Sequence, residues 1–213
     1  MKILAFNGSP KGEQSNTAVM INSLLAGLAS RNTEINQIYL SHKKINYCTG
    51  CYSCWTKTPG VCIIQDDMKE VIKQMKGVDI FIFGSPLYFN NISGILKTFF
   101  DRLTAAGGNP HQSQTDTKAS PYFIMMSNCG HPYKKQFDVV SLWIHNVSNM
   151  MQAKLIGEFY TTDGKVLTQA TEEQQNSRAN YLHFLEECGK QYLLDMELKD
   201  EQKALLDRNI LDF

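Results

Sequence analysis

Three stretches of this 213-residue chain carry side chains whose type and spacing can do chemistry. The most compact is Cys48, Cys51, Cys54 and Cys62, a C-x2-C-x2-C-x7-C run. Its short gaps let successive sulfurs point at one centre, so the run can hold a [4Fe–4S] cluster. Four thiolates also suit a tetrahedral zinc ion, and four reduced thiols on a loop, open to redox chemistry, are the plainest reading. The second stretch is Gly8-Ser9-Pro10-Lys11 followed by Ser15-Asn16-Thr17. The Ser9, Ser15 and Thr17 hydroxyls, the Asn16 amide and the N–H groups of a helix start are donors for a phosphate, favoured further by the helix dipole. The bland alternative is that Ser15 and Thr17 only cap a helix. The third stretch, Pro86-Leu87-Tyr88-Phe89-Asn90-Asn91, sets two aromatics beside two amides at the end of an apolar run.

Two common phosphate motifs are excluded. A P-loop needs G-x-x-x-x-G-K-[ST] and a dinucleotide fingerprint needs G-x-G-x-x-G, whereas this loop has only Gly8 and Gly12. Flavin needs flat or apolar walls around its ring and amide or hydroxyl partners along its pyrimidine edge. Pro86 to Asn91 can supply both, and Ser127-Asn128-Cys129-Gly130 adds further small donors. The phosphate is therefore expected to belong to FMN.

The elements that must position these loops alternate strand and helix. Unbroken or nearly unbroken apolar runs predict strands at Lys2–Phe6, Glu34–Leu40, Asp79–Gly84, Pro121–Ser127 and Leu155–Tyr160. Helical spacing predicts helices over Ser15–Leu28, from Asp66-Asp67 to about Met75, and over Ser93–Leu103, Phe137–Met150, Thr171–Leu194 and Asp200–Leu206. Right-handed crossovers then give a three-layer, doubly wound α/β fold with five parallel strands in the flavodoxin-like order 2-1-3-4-5. Ligands of such a sheet bind beyond the carboxyl ends of the strands, where the order reverses. The loops after strands 1, 3 and 4 are the ones flagged above. Residues 1–213 read as one domain with a helical C-terminal extension from about residue 171, and Thr104–Ser120 as a surface loop.

Composition narrows the partners. Lys+Arg and Asp+Glu number 21 each, so the net charge is zero and nothing favours nucleic acid. No apolar stretch approaches the roughly 20 residues of a membrane span, and Ile3-Leu4-Ala5-Phe6 is too short for a secretory signal, so a cytoplasmic setting is expected. There the six cysteines read as thiols or metal ligands rather than disulfides. Cys188, on a helical stretch, reads as a core residue.

Together, Gly8 to Thr17, Gly84-Ser85-Pro86-Leu87-Tyr88 and Ser93-Gly94-x-Leu96-Lys97-x-Phe99-x-Asp101-Arg102 resemble the NADPH-dependent FMN reductase group of flavodoxin-like proteins. The resemblance runs to about Tyr160. It implies that Ser9, Lys11, Ser15, Asn16 and Thr17 hold the FMN phosphate and that Pro86, Leu87, Tyr88, Phe89 and Asn90 surround the flavin, with Asn128 and Gly130 contributing from the third loop. It further implies NAD(P)H as electron donor and a small-molecule acceptor such as a quinone. A homodimer or dimer of dimers is implied too, with the partner walling the flavin and Thr104–Ser120 as one contributor. The cysteine run is similar to that of the iron–sulfur flavoproteins, in which a cluster relays electrons from ferredoxin to FMN. Lys97, Asp101 and Arg102 read as a structural ion-pair set along one helix rather than as site residues.

Overall fold

The computed structural model describes residues 1–106 and 120–213. Strand β1 (Lys2–Asn7) forms from its apolar run because both its faces are covered: Ile3, Leu4, Ala5 and Phe6 have no exposed surface. The chain continues through α1 (Asn16–Leu28), β2 (Glu34–Tyr39), a one-turn α2 (Ser53–Thr56), α3 (Met68–Gln74), β3 (Ile80–Tyr88), a two-residue β4 (Asn91–Ile92) and α4 (Gly94–Arg102). After the undescribed stretch come β5 (Tyr122–Asn128), α5 (Asp138–Met150), β6 (Lys154–Thr161), α6 (Val166–Gln169), α7 (Gln175–Leu194) and α8 (Asp200–Leu205). The Thr104–Ser120 loop expected from the sequence lies largely outside the described residues.

The sheet order is β2-β1-β3-β5-β6, with every neighbour along that path parallel. This is the expected 2-1-3-4-5 order, with one addition: β4 folds back antiparallel on the end of β3. Registers Asn7↔Gly84, Pro86↔Asn128 and Asn128↔Thr161 bring the flagged strand ends to one sheet edge.

Alternation along the strands divides the core into two layers. Ile3, Ala5, Ile82 and Ile124 pack with Ile21 and Leu24 of α1 and with Leu185, Cys188 and Tyr192 of α7. Leu4, Phe6, Phe83 and Phe123 pack with α3, α4 and α5 through Val71, Leu96, Phe99 and Ile144. The C-terminal extension thus covers one face of the sheet through α1. Helices α1 and α7 cross where Gly27 meets Gly189. A Cβ on Gly27 would stand 1.9 Å from the Glu186 carbonyl oxygen, so only glycine allows this approach. Among the described residues no helix is long and apolar enough to cross a membrane.

Strand β3 runs four residues past Gly84, the sequence-predicted end, because the backbone around Ser85 and Pro86 stays extended alongside β5. It then reverses through Phe89 and Asn90, both with left-handed backbone (φ 48° and 57°). That pair is a two-residue hairpin turn of the primed type, normally given to Asn and Gly. A fully exposed phenylalanine in it is unusual.

Candidate functional site

The site begins where β1 ends. Asn7 is fully buried, and its amide organises the following loop. Its Oδ1 accepts from the Ser9 N–H (2.8 Å), while Nδ2 donates to Ser15 Oγ (3.3 Å) and to the Gly12 carbonyl (3.4 Å). Ser15 Oγ in turn donates to the Gly12 carbonyl (2.6 Å) and accepts the Ala18 N–H (3.0 Å), the geometry of an N-cap. Ser15 thus shapes the loop. Its hydroxyl makes the N-cap that the alternative reading describes. The first N–H groups of α1, at Asn16 and Thr17, have no acceptor among the described residues and sit at the positive end of the helix.

The remaining predicted residues divide into tied and open ones. Thr17 Oγ1 accepts from Asn128 Nδ2 (2.9 Å), which joins the first and third loops, and both residues are buried. Asn16 Oδ1 accepts from Thr168 Oγ1 (2.6 Å). Ser9 is buried, its Oγ accepting from the Lys11 N–H (3.3 Å), while the Lys11 side chain is exposed. Pro86 is buried and Leu87 half-buried, whereas Tyr88 and Asn90 are exposed and Phe89 stands fully in the open. Gly130 is exposed with nothing packed against it.

Helix α4 locks the first two loops together. The Gly8 N–H donates to the Gly84 carbonyl (2.8 Å), Ser93 Oγ donates to the Gly8 carbonyl (2.6 Å), and the Ser93 N–H donates to Ser85 Oγ (2.8 Å). A Cβ on Gly8 would come 2.7 Å from the Leu96 Cβ, so this approach also requires glycine. Sequence reasoning missed Asn7, Ser85 and Ser93. A polar residue closing a fully apolar strand was the available signal for Asn7. Ser127 Oγ and Thr162 Oγ1, at the ends of β5 and β6, are buried with no partner among the described residues. Unpaired hydroxyls and open helix N–H groups at the same sheet edge fit a ligand that brings its own acceptors.

The cysteine loop leaves β2 and returns before α3. All four thiols are free and line one small cavity of about 110 Å³, together with Thr49, Tyr52 and Ile63. Cys48 and Cys51 are exposed, Cys54 and Cys62 half-buried. Hydrogen bonds from Ser53 and Thr49 hold the Cys51 thiol below its ordinary pKa. Burial, then the neighbouring Cys62, Cys48 and Cys51, push Cys54 up. Among the described residues no three ligating side chains converge tightly enough to hold one metal ion.

The loop's roots are held by a residue that sequence reasoning assigned elsewhere. Lys97 and Asp101 pair along α4 as expected, but Arg102 does not join them. Its guanidinium reaches Asp66 with two bonds (2.7 and 3.0 Å) and the Asn46 carbonyl with a third (2.7 Å), and the side chains of Arg102 and Asp66 are buried. Burial opposes a charged Asp66, yet Arg102 and the Asn46 and Met68 N–H groups outweigh it and hold the pKa down to about 2.

A doubly wound sheet with an anion-ready first loop and an aromatic hairpin at its switch point defines the flavodoxin-like class. Residues 1–128 match the family model for NADPH-dependent FMN reductase, and the chain belongs to that family. It is similar to an iron-sulfur flavoprotein of Archaeoglobus fulgidus, 37% identical over 110 residues, 52% of this chain and 49% of the relative. An iron-sulfur flavoprotein of Methanocaldococcus jannaschii is 40% identical over 102 residues, 48% and 51% of the two chains. The chain thus spans about half the length of these relatives. Its fold is that of an FMN-dependent NADH-azoreductase from Bacillus anthracis solved with FMN (TM-score 0.64, 18% identity, 89% of this chain and 98% of that one).

Proposed function

We propose that this chain is an FMN-dependent oxidoreductase that takes electrons from NAD(P)H and delivers them to a small acceptor such as a quinone, a free flavin, or a nitro- or azo-compound. One observation carries the reading: the open helix N–H groups of Asn16 and Thr17 share a sheet edge with the exposed Tyr88–Phe89 hairpin. FMN bound there would supply hydride acceptance from the nicotinamide and electron release to the acceptor. The chain's own part is positioning. Asn16 and Thr17 would hold the phosphate, with the Lys11 charge beside it, while Asn7, Ser9 and Ser15 keep the loop in shape. Pro86, Leu87, Tyr88, Phe89 and Asn90 would wall the flavin, and Asn128, fixed by Thr17, and Gly130 would close it from the third loop. A homodimer, or a dimer of dimers, would wall the remaining side.

A second reading adds a [4Fe–4S] cluster held by Cys48, Cys51, Cys54 and Cys62, making the protein an electron carrier between ferredoxin and FMN. The observation favouring it is the convergence of all four thiols on one small cavity. The two readings separate in one anaerobic experiment on the purified protein, measuring iron and the bleaching of bound flavin by NADPH or NADH. Rapid bleaching without iron supports the reductase; four irons per chain and bleaching only through reduced ferredoxin support the carrier. Flavin that neither reagent bleaches would overturn both.

A further inference from the structure

We propose that Arg102 is the positioning residue of the cysteine site: its buried guanidinium closes the two roots of the loop and presents its unpartnered Nε–H toward the Cys62 sulfur. The root closure stands on its own, whereas the N–H to sulfur contact rests on the cluster reading above.

Asn46 lies just before Cys48 and Asp66 just after Cys62, so the segment between them is the whole cysteine loop. Arg102 binds both ends, and Asp66 also accepts from the Asn46 N–H (2.9 Å) and side-chain amide (3.1 Å). Outside this neck, the Lys44 N–H donates to Asp67 Oδ2 (2.7 Å) and the Asp67 N–H returns to the Lys44 carbonyl (3.1 Å). A guanidinium suits the task because its donors lie in a rigid planar fork, which an ammonium lacks.

Three of the five guanidinium N–H groups are used, and Nε is the one nitrogen left with no bond. Arg102 Nε is buried and has no partner among the described residues, and Cys62 stands near enough for its sulfur to favour the guanidinium's charge, although Nε makes no hydrogen bond to that sulfur here. A buried N–H without an acceptor is rare, and a cluster thiolate would provide one. Hydrogen bonds to cluster sulfurs tune the reduction potential. The same helix begins at Ser93, which bonds the Gly8 carbonyl in the phosphate loop. Helix α4, about 13 Å long at 1.5 Å per residue, therefore fixes the cysteine loop relative to the expected flavin site.

The test compares the full chain with Arg102→Lys and with the double variant Arg102→Met/Asp66→Leu, which replaces the buried pair by apolar groups and so leaves neither charge buried alone. FMN content and a cooperative melt serve as controls. Iodoacetamide alkylation of the four loop cysteines in the iron-free protein, mapped by mass, is expected to be about tenfold faster in both variants, as for a locally opened segment. After anaerobic iron and sulfide treatment, both variants are expected to hold less iron than the unaltered chain, and any cluster in Arg102→Lys to titrate at a more negative potential. Unchanged alkylation in both variants would overturn the closure role. Equal iron with an unchanged potential would overturn the contact to Cys62. If the unaltered chain takes up no iron, the cluster reading and that contact fail together, and alkylation alone decides the closure role. If the double variant does not melt cooperatively, Arg102→Lys decides.

Discussion

Asp66 shows how one side chain ties the cysteine loop to solution conditions. Its carboxylate is buried against Arg102 and held near pKa 2, below the 3.8 it would have unperturbed. A folded-state pKa below the unfolded one means stability that is fully present above about pH 4 and lost as pH falls toward 2. A downshift of that size corresponds to on the order of 2 kcal/mol. Denaturant unfolding measured between pH 5 and pH 2 is expected to show that loss, and Asp66→Asn to flatten the slope while lowering stability at neutral pH. An unaltered slope in the variant would contradict the pairing. This pair was not legible in the sequence. Helical spacing correctly gives Lys97 with Asp101, but Arg102 reaches across to a residue 36 positions away, and only the fold brings them together. Ser15, by contrast, was legible as a cap because capping is local chemistry.

The elements of the sheet were largely readable because strands covered on both faces show themselves as unbroken apolar runs, as in Ile3 to Phe6 and Ile80 to Phe83. The end of β3 was not, since Ser85-Pro86 reads as a stop, whereas Pro86 here lies within an extended strand that runs on to Tyr88 and turns back as a hairpin. The Phe89 turn offers a test in which stability and binding move in opposite directions. Phe89→Gly removes a left-handed strain and an exposed ring, so the apo protein is expected to be as stable or more stable by up to about 1 kcal/mol. FMN affinity is expected to fall, as read by fluorescence titration. A variant that binds FMN unchanged would remove Phe89 from the flavin wall. The α1–α7 crossing was invisible in the sequence, where glycines inside helices look only like weak points. Gly27→Val forces the helices apart and is expected to lower stability by at least about 2 kcal/mol in a urea melt; a neutral result would contradict the close crossing.

For the whole molecule, the sheet brings to one edge three loops that are far apart in sequence, and α4 joins that edge to the cysteine loop. The zero net charge leaves selectivity to this local geometry rather than to any long-range field. The central claim is that the Gly8–Thr17 loop holds a flavin phosphate while the Pro86–Asn91 hairpin holds the ring. Riboflavin carries the same ring without the phosphate, so titrating the flavin-free protein with FMN and riboflavin isolates the loop's contribution. Two or more charge-assisted hydrogen bonds predict FMN binding tighter than riboflavin by at least about 100-fold. Equal affinities for the two flavins, or no binding of FMN, would contradict the account.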